Sequence, residues 1–209
     1  MKNTLMRLFI AAAALAFLPG LAGATDISGT ISTALTITKN SRLVGDVTCT
    51  VTANPCIKFG ASHITLDLNR HVMTGNANYP FSSSSCTLVS GEDGISTDNF
   101  DFVSIEGSGL VRLFRGNGIT VSGTHTMVEQ VAITNTCEHG ILLSGSDNVL
   151  QDNSVVKTGL SKGIVPGFGF TGLSASGTGH HIRRNEVIGS GLHGISNDNG
   201  ISNDNSPII

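Results

Sequence analysis

With 209 residues, a formal net charge of -3 and only 13% charged residues, the chain lacks the basic surface needed to displace counterions from nucleic acid or to hold a polybasic contact with a membrane. The 26 glycines, single tyrosine and absence of tryptophan, together with many Ser, Thr, Asn and β-branched residues, favour short strands joined by tight turns over helices.

The N-terminus has the plan of a secretory signal peptide over residues 1–24. Met1-Lys2 and Arg7 supply positive charge, Leu8 to Leu18 is an alanine-rich apolar run, and Ala22-Gly23-Ala24 is a small-residue cleavage signature. The run is short for a bilayer span, and Pro19-Gly20 interrupts it, which argues against the competing reading of an uncleaved anchor. The exported chain is expected to begin near Thr25, to be secreted or periplasmic, and to carry no membrane span after cleavage. Residues 25–209 then form one domain.

From Thr25 to Val51, threonine alternates with aliphatic residues, as in Leu35-Thr36-Ile37-Thr38 and Val47-Thr48-Cys49-Thr50-Val51. Period-two alternation predicts strands that make a first rung and cap. Cys49, Cys56, Cys86 and Cys137 sit in an exporting context, where disulfides persist. Of the three possible pairings, the short Cys49–Cys56 bridge around Pro55 is favoured, leaving Cys86 and Cys137 to pair or remain free. The spacings do not suit a zinc site, and neither a metal nor another cofactor is expected.

Ile57-Lys58-Phe59-Gly60-Ala61 opens a rung that closes with Ile64-Thr65-Leu66-Asp67-Leu68-Asn69. Residues 76–93, with Pro80, four consecutive serines and Cys86, have the composition of an excursion. Gly-Ile pairs then recur at Gly94, Gly118 and Gly140. They predict ladders of Ile95, Ile119 and Ile141, of Val121 and Leu143, of Val128 and Leu150, and of Ile133, Val155 and Val187. Two stretches share one plan: Gly140-Ile141 through Asn153 and Gly172-Leu173 through Asn185. The piece between them, containing Pro166, Phe168 and Phe170, reads as an insertion if the rung starts at Gly172; a start at Gly163-Ile164 is the alternative. At 194–209 the hexapeptide Gly194-Ile195-Ser196-Asn197-Asp198-Asn199 is repeated as 200–205. Six residues are too few for a full coil, so a polar tail or ragged end is expected, with an uncapped last coil through which copies could associate.

The rung at Ile64-Thr65-Leu66-Asp67-Leu68-Asn69-Arg70-His71, followed by Met73-Thr74-Gly75 and the Gly-Ile starts, resembles secreted bacterial proteins with right-handed parallel β-helix repeats of the pectate-lyase-like superfamily. The resemblance implies an all-β, single-stranded, right-handed parallel β-helix, a solenoid covering most of the exported chain. In that superfamily glycine is common at the place of Arg70.

Stacked coils turn distant residues into columns. Asp67, Glu129, Gln151 and Arg183 fall in one; His139 and His193 fall in another with Asn117 and Thr171. Glu138, His139 and His193 are therefore candidate acid–base residues, because a polar column can line a saccharide groove and move protons. Asp67, Glu129, Arg183, Phe168 and Phe170 are candidate substrate contacts. Asn153 and Asn185 are expected to stack at a corner, His63 and His125 to be exposed beside corners, and His180-His181 with Arg183-Arg184 to form a solvated basic cluster. The Asn-Thr-Asp and paired-aspartate signatures of polygalacturonase-like enzymes are absent. Polysaccharide binding is thus the leading expectation. The competing classes are a polysaccharide-acting lyase, epimerase or hydrolase, and a structural or adhesive surface protein.

Overall fold

The structure is a computed structural model that describes residues 23–77, 86, 89–159, 171–190, 194–197 and 202–204. It is an all-β solenoid in which every strand pairing is parallel. The first face is a seven-stranded sheet: Leu35–Ile37, Ile57–Phe59, Ile95–Ser96, Ile119–Val121, Ile141–Leu143, Leu173–Ala175 and Ile195–Asn197. The other sheet has thirteen strands and is bent into two faces by the long strand Ser41–Cys49. Its leading end starts the second face, continued by Thr65–Asp67, Ser104–Glu106, Met127–Glu129, Val149–Gln151, His181–Arg183 and Ser202–Asp204. Its trailing end starts the third face, continued by Val72–Thr74, Leu110–Arg112, Ala132–Thr134, Ser154–Val156 and Glu186–Ile188. Thr25–Ile31 pairs along Ser41–Cys49 and extends the stack at that end, as the first-rung reading expects.

Three-residue strands suffice because each side chain has one task. On the second face the middle residue points inward, giving a ladder of Leu66, Ile105, Val128, Leu150 and Ile182, none more than 1% exposed. Ile57, Ile95, Ile119, Ile141 and Leu173 form the corresponding ladder of the first face, and Met73, Val111, Ile133, Val155 and Val187 that of the third. The expected ladders are all present. Burial on three sides makes them the principal source of stability, at about 1.5–3 kcal/mol per fully buried aliphatic side chain.

The recurrent glycine has a packing cause. A Cβ on Gly140 would overlap Val155 Cγ1 and lie 2.7 Å from the carbonyl oxygen of Gly172; one on Gly118 would meet Ile133 and Gly140 in the same way. The corner between the third and first faces therefore has room only for glycine. Arg70, by contrast, occupies a left-handed corner at φ 64° where glycine would be easier. The turn forms regardless, held by Arg70 N–H to Gly107 O and His71 N–H to Leu68 O, both at 2.8 Å.

Both disulfides form, Cys49–Cys56 and Cys86–Cys137, with Cα separations of 5.9 and 5.6 Å, which points to an oxidising environment. Among the described residues no helix is long and apolar enough to cross a membrane. Leu173 pairs with Ile141, so the rung does start at Gly172; Gly163-Ile164 lies outside the described residues. One expectation is corrected. Rather than a tail, the duplicated hexapeptide contributes Ile195–Asn197 to the first face and Ser202–Asp204 to the second. Six residues do not make a coil, but each copy supplies one three-residue strand, and the two strands lie on two faces.

Candidate functional site

The second face carries the predicted outward column. Asp67 pairs in register with Glu106, Glu129 with Gln151, and Gln151 with Arg183, while Arg42 precedes Asp67 on the neighbouring strand. Glu106 was not foreseen. Alternation through Phe102-Val103-Ser104-Ile105, continued by one residue, would have placed it outward. The upper half of the column is joined internally: Gln151 donates to Glu129 Oε2 at 2.5 Å, and Arg183 Nε donates to Gln151 Oε1 at 2.8 Å. At the lower end, Arg42, Asp67 and Glu106 line a cavity of about 220 Å³ with Ala24, Asn40, Ser41 and Thr65.

Along the leading edge of this face runs a ring ladder. His63, Phe102 and His125 stack with centroid separations of 4.8 and 4.6 Å and interplanar angles of 6° and 11°. All three have positive φ, and Phe102 is 49% exposed. His63 and His125 are exposed beside corners as expected, and their stacking through Phe102 follows from the one-coil spacing.

The second candidate region is the corner that leads into the first face. Asp93 and Asn117 are buried, and the Asp93 carboxylate accepts three bonds: from Asn117 N at 2.7 Å, Asn117 Nδ2 at 3.2 Å and Thr120 Oγ1 at 2.7 Å. Asn117 Oδ1 accepts from His139 N at 3.0 Å, and His139 Nδ1 accepts from Thr171 N at 3.0 Å. Asn117, His139 and Thr171 are therefore brought together as the column reading required. Because Nδ1 is an acceptor, the neutral ring carries its proton on Nε2. Burial lowers the His139 pKa and raises that of Asp93. Glu138 is half-buried beside this ladder; burial first, then the negative charge of Asp93, push its carboxyl up to about 7. Glu92 belongs to the structure of the same corner. It is bound bidentately by Arg115 at 2.6 and 2.7 Å and accepts from Ala53 N at 3.0 Å. Neither Glu92 nor Asp93 was foreseen, since they end a loop-like stretch; their place directly before Gly94 was the available signal. His193, Phe168 and Phe170 lie outside the described residues.

Asn153, Asn185 and His180 serve the scaffold. Asn185 Oδ1 accepts from Asn153 N and Nδ2 at 3.1 and 2.9 Å, and Asn153 Oδ1 accepts from Val131 N at 3.0 Å, the expected corner stack. The basic cluster needs correction. His180 is buried, its Nδ1 accepting from Asn148 N at 3.3 Å and its Nε2 lying 2.9 Å from Ser176 O, because it falls in the slot that Asn148 fills one coil earlier. Arg184 is committed to Asp152 at 2.6 Å, which leaves His181 and Arg183 on the surface. Among the described residues no group of three His, Cys, Asp or Glu side chains is arranged to hold a metal ion. Comparisons with protein-family profiles, with curated proteins and with solved structures gave no significant match.

Proposed function

We propose that the chain is an exported, right-handed, single-stranded β-helix of the pectate-lyase-like kind that binds polysaccharide along its second face. The right hand follows from the strong preference of parallel crossover connections for that sense. The observation that carries the binding reading is the in-register outward column Asp67, Glu106, Glu129, Gln151 and Arg183, bordered by the exposed His63–Phe102–His125 ladder. Carboxylates accept from sugar hydroxyls, Gln and Arg donate to sugar oxygens, and the groups repeat at roughly 4.8 Å per coil, so a polymer lying along the stack meets the same kinds of contact again and again. The supporting test is a panel of neutral and uronate polysaccharides titrated onto the exported protein. Saturable binding that weakens in Glu129→Ala and Arg183→Ala supports the reading, and its absence across the panel removes it.

A second reading, a polysaccharide-acting lyase, epimerase or hydrolase, is favoured by one observation: the Glu138 carboxyl, at about 7, exchanges its proton near neutrality. New unsaturated or reducing ends that vanish in Glu138→Gln support it. Binding without any product excludes it for the sugars tested. His139 is the poorer proton carrier, since its Nδ1 is occupied by Thr171 N–H.

A further inference from the structure

The outward column of the second face carries its charges in a definite order: from the lower end, Arg42, Asp67, Glu106, Glu129, Gln151 and Arg183. Both cations are engaged, Arg42 Nε donating to Asp26 Oδ1 and Arg183 Nε to Gln151 Oε1, each at 2.8 Å. Arg42 attracts Asp67, its register partner, at longer range. Among the described residues, however, no lysine, arginine or histidine lies within ion-pair distance of Asp67, Glu106 or Glu129. Glu106 therefore stands between two other carboxylates, Asp67 in register on one side and Glu129 one coil on at the other. Like charges set side by side on neighbouring strands are unfavourable. The bonds they accept, from Asn69 N at 2.7 Å, from Ser104 Oγ at 3.3 Å and from the neutral Gln151 amide, bring no positive charge. The scaffold does not require such a run. In the equivalent column of the third face stand Thr74, Arg112, Thr134, Val156 and Ile188. At its lower end the run opens into the cavity of about 220 Å³ lined by Arg42, Asp67 and Glu106, which a bound group can enter.

We propose, resting on the polysaccharide-binding reading, that the second face selects polymers of amino sugars, whose ammonium groups sit against Asp67, Glu106 and Glu129, over neutral polymers and above all over uronates. The carboxylates repeat at roughly 4.8 Å along the stack, so an extended chain lying on it offers them ammonium groups from successive sugars. Each ammonium brings three N–H donors and a positive charge to groups that only accept. A uronate instead adds a further carboxylate to the three already in line. Selectivity thus comes from the repulsion of uronates as well as from the attraction of amines.

The test titrates the exported protein with oligosaccharides of matched length: one of glucosamine, its N-acetylated counterpart and one of galacturonate. At low salt, and at a pH where the sugar amine is charged, the glucosamine oligomer is expected to bind about tenfold more tightly than the acetylated one, and the galacturonate oligomer most weakly. The advantage is expected to vanish near about 1 M salt. Glu106→Gln and, separately, Glu129→Gln are each expected to cut it about threefold while keeping the thermal midpoint, since each removes a like-charge contact. Glu186→Gln, on the exposed side of the third face, is expected to leave it unchanged. An equal loss in Glu186→Gln means attraction to net charge alone and overturns the proposal. So does galacturonate binding as tight as that of glucosamine, with or without added calcium, or an advantage that ignores both column substitutions. Absence of binding by all of the oligomers is a different result, which removes the polysaccharide reading itself.

Discussion

The second face and the corner leading into the first face are built by the same stacking, yet they use polar side chains in opposite ways. On the face, Glu106 and Glu129 point outward from strands whose backbone bonds are already completed by neighbouring strands, so their carboxylates remain at the surface, whereas Asp67, at the corner end of its strand, gives one oxygen to the Asn69 N–H at 2.7 Å. At the corner the chain leaves the ladder, and Asp93, Asn117 and His139 are consumed in bonding backbone N–H groups of the next coil. A polar column in a solenoid is therefore open to a ligand where the backbone is satisfied, and committed to the scaffold where it is not. Glu138 stands between the two cases, half-buried and, among the described residues, without a backbone N–H to bind, and its proton affinity rises accordingly.

The contrast can be broken most severely through the core that both regions share. Ile141→Asp places an unpaired charge in the first-face ladder and is expected to abolish cooperative folding, with loss of the sheet signal in circular dichroism. Gly140→Ala, opposed by Val155 and the Gly172 carbonyl, is expected to cost about 1–3 kcal/mol in denaturant unfolding. Asn153→Ala removes the partner of buried Val131 N–H and is expected to cost about 1–3 kcal/mol in the same measurement.

Titration sharpens the comparison further. Glu138 has its folded-state pKa raised, so native protein holds this proton more tightly and loses stability as pH climbs from the ordinary carboxylate range through about 7. His139 has its folded-state pKa lowered, so its contribution is lost as pH falls below the ordinary histidine value near 6.5. The two effects oppose each other between the ordinary carboxylate and histidine values, so Glu138→Gln is expected to remove the decline toward about pH 7 and to leave thermal midpoints that rise with pH through the histidine range. The smallest effect belongs to the open face. Arg183→Ala removes an exposed contact with Gln151 and is expected to change stability by no more than about 1 kcal/mol, so a change in polysaccharide affinity there reports on binding and not on folding.

Much of the architecture was legible before the structure. The inward positions recur at nearly constant offsets, and the 32-residue step to Gly172 absorbs its insertion without disturbing the phrase on either side. Asp67, Glu129, Gln151 and Arg183 were legible as one column for the same reason. What went unread were residues whose roles depend on the neighbouring coil. Glu106 lies one position past the alternation Phe102-Val103-Ser104-Ile105, Asp93 closes an excursion of loop composition, and the two hexapeptide copies are too short for a coil until each is placed on a different face.

His180 and His181 show where the boundary lies. Sequence alone determined the period, and with it which residues stack, because a ladder of buried aliphatics tolerates no slip by one residue without turning its core outward. Whether a stacked polar residue meets solvent or its own scaffold was decided only in three dimensions. His180 turns into the corner to bind Asn148 N–H, while His181, its immediate neighbour, faces outward from the strand beside Arg183. The reason is local and physical: an otherwise unsatisfied backbone N–H one coil away claims the first side chain, and among the described residues the second bonds no such group.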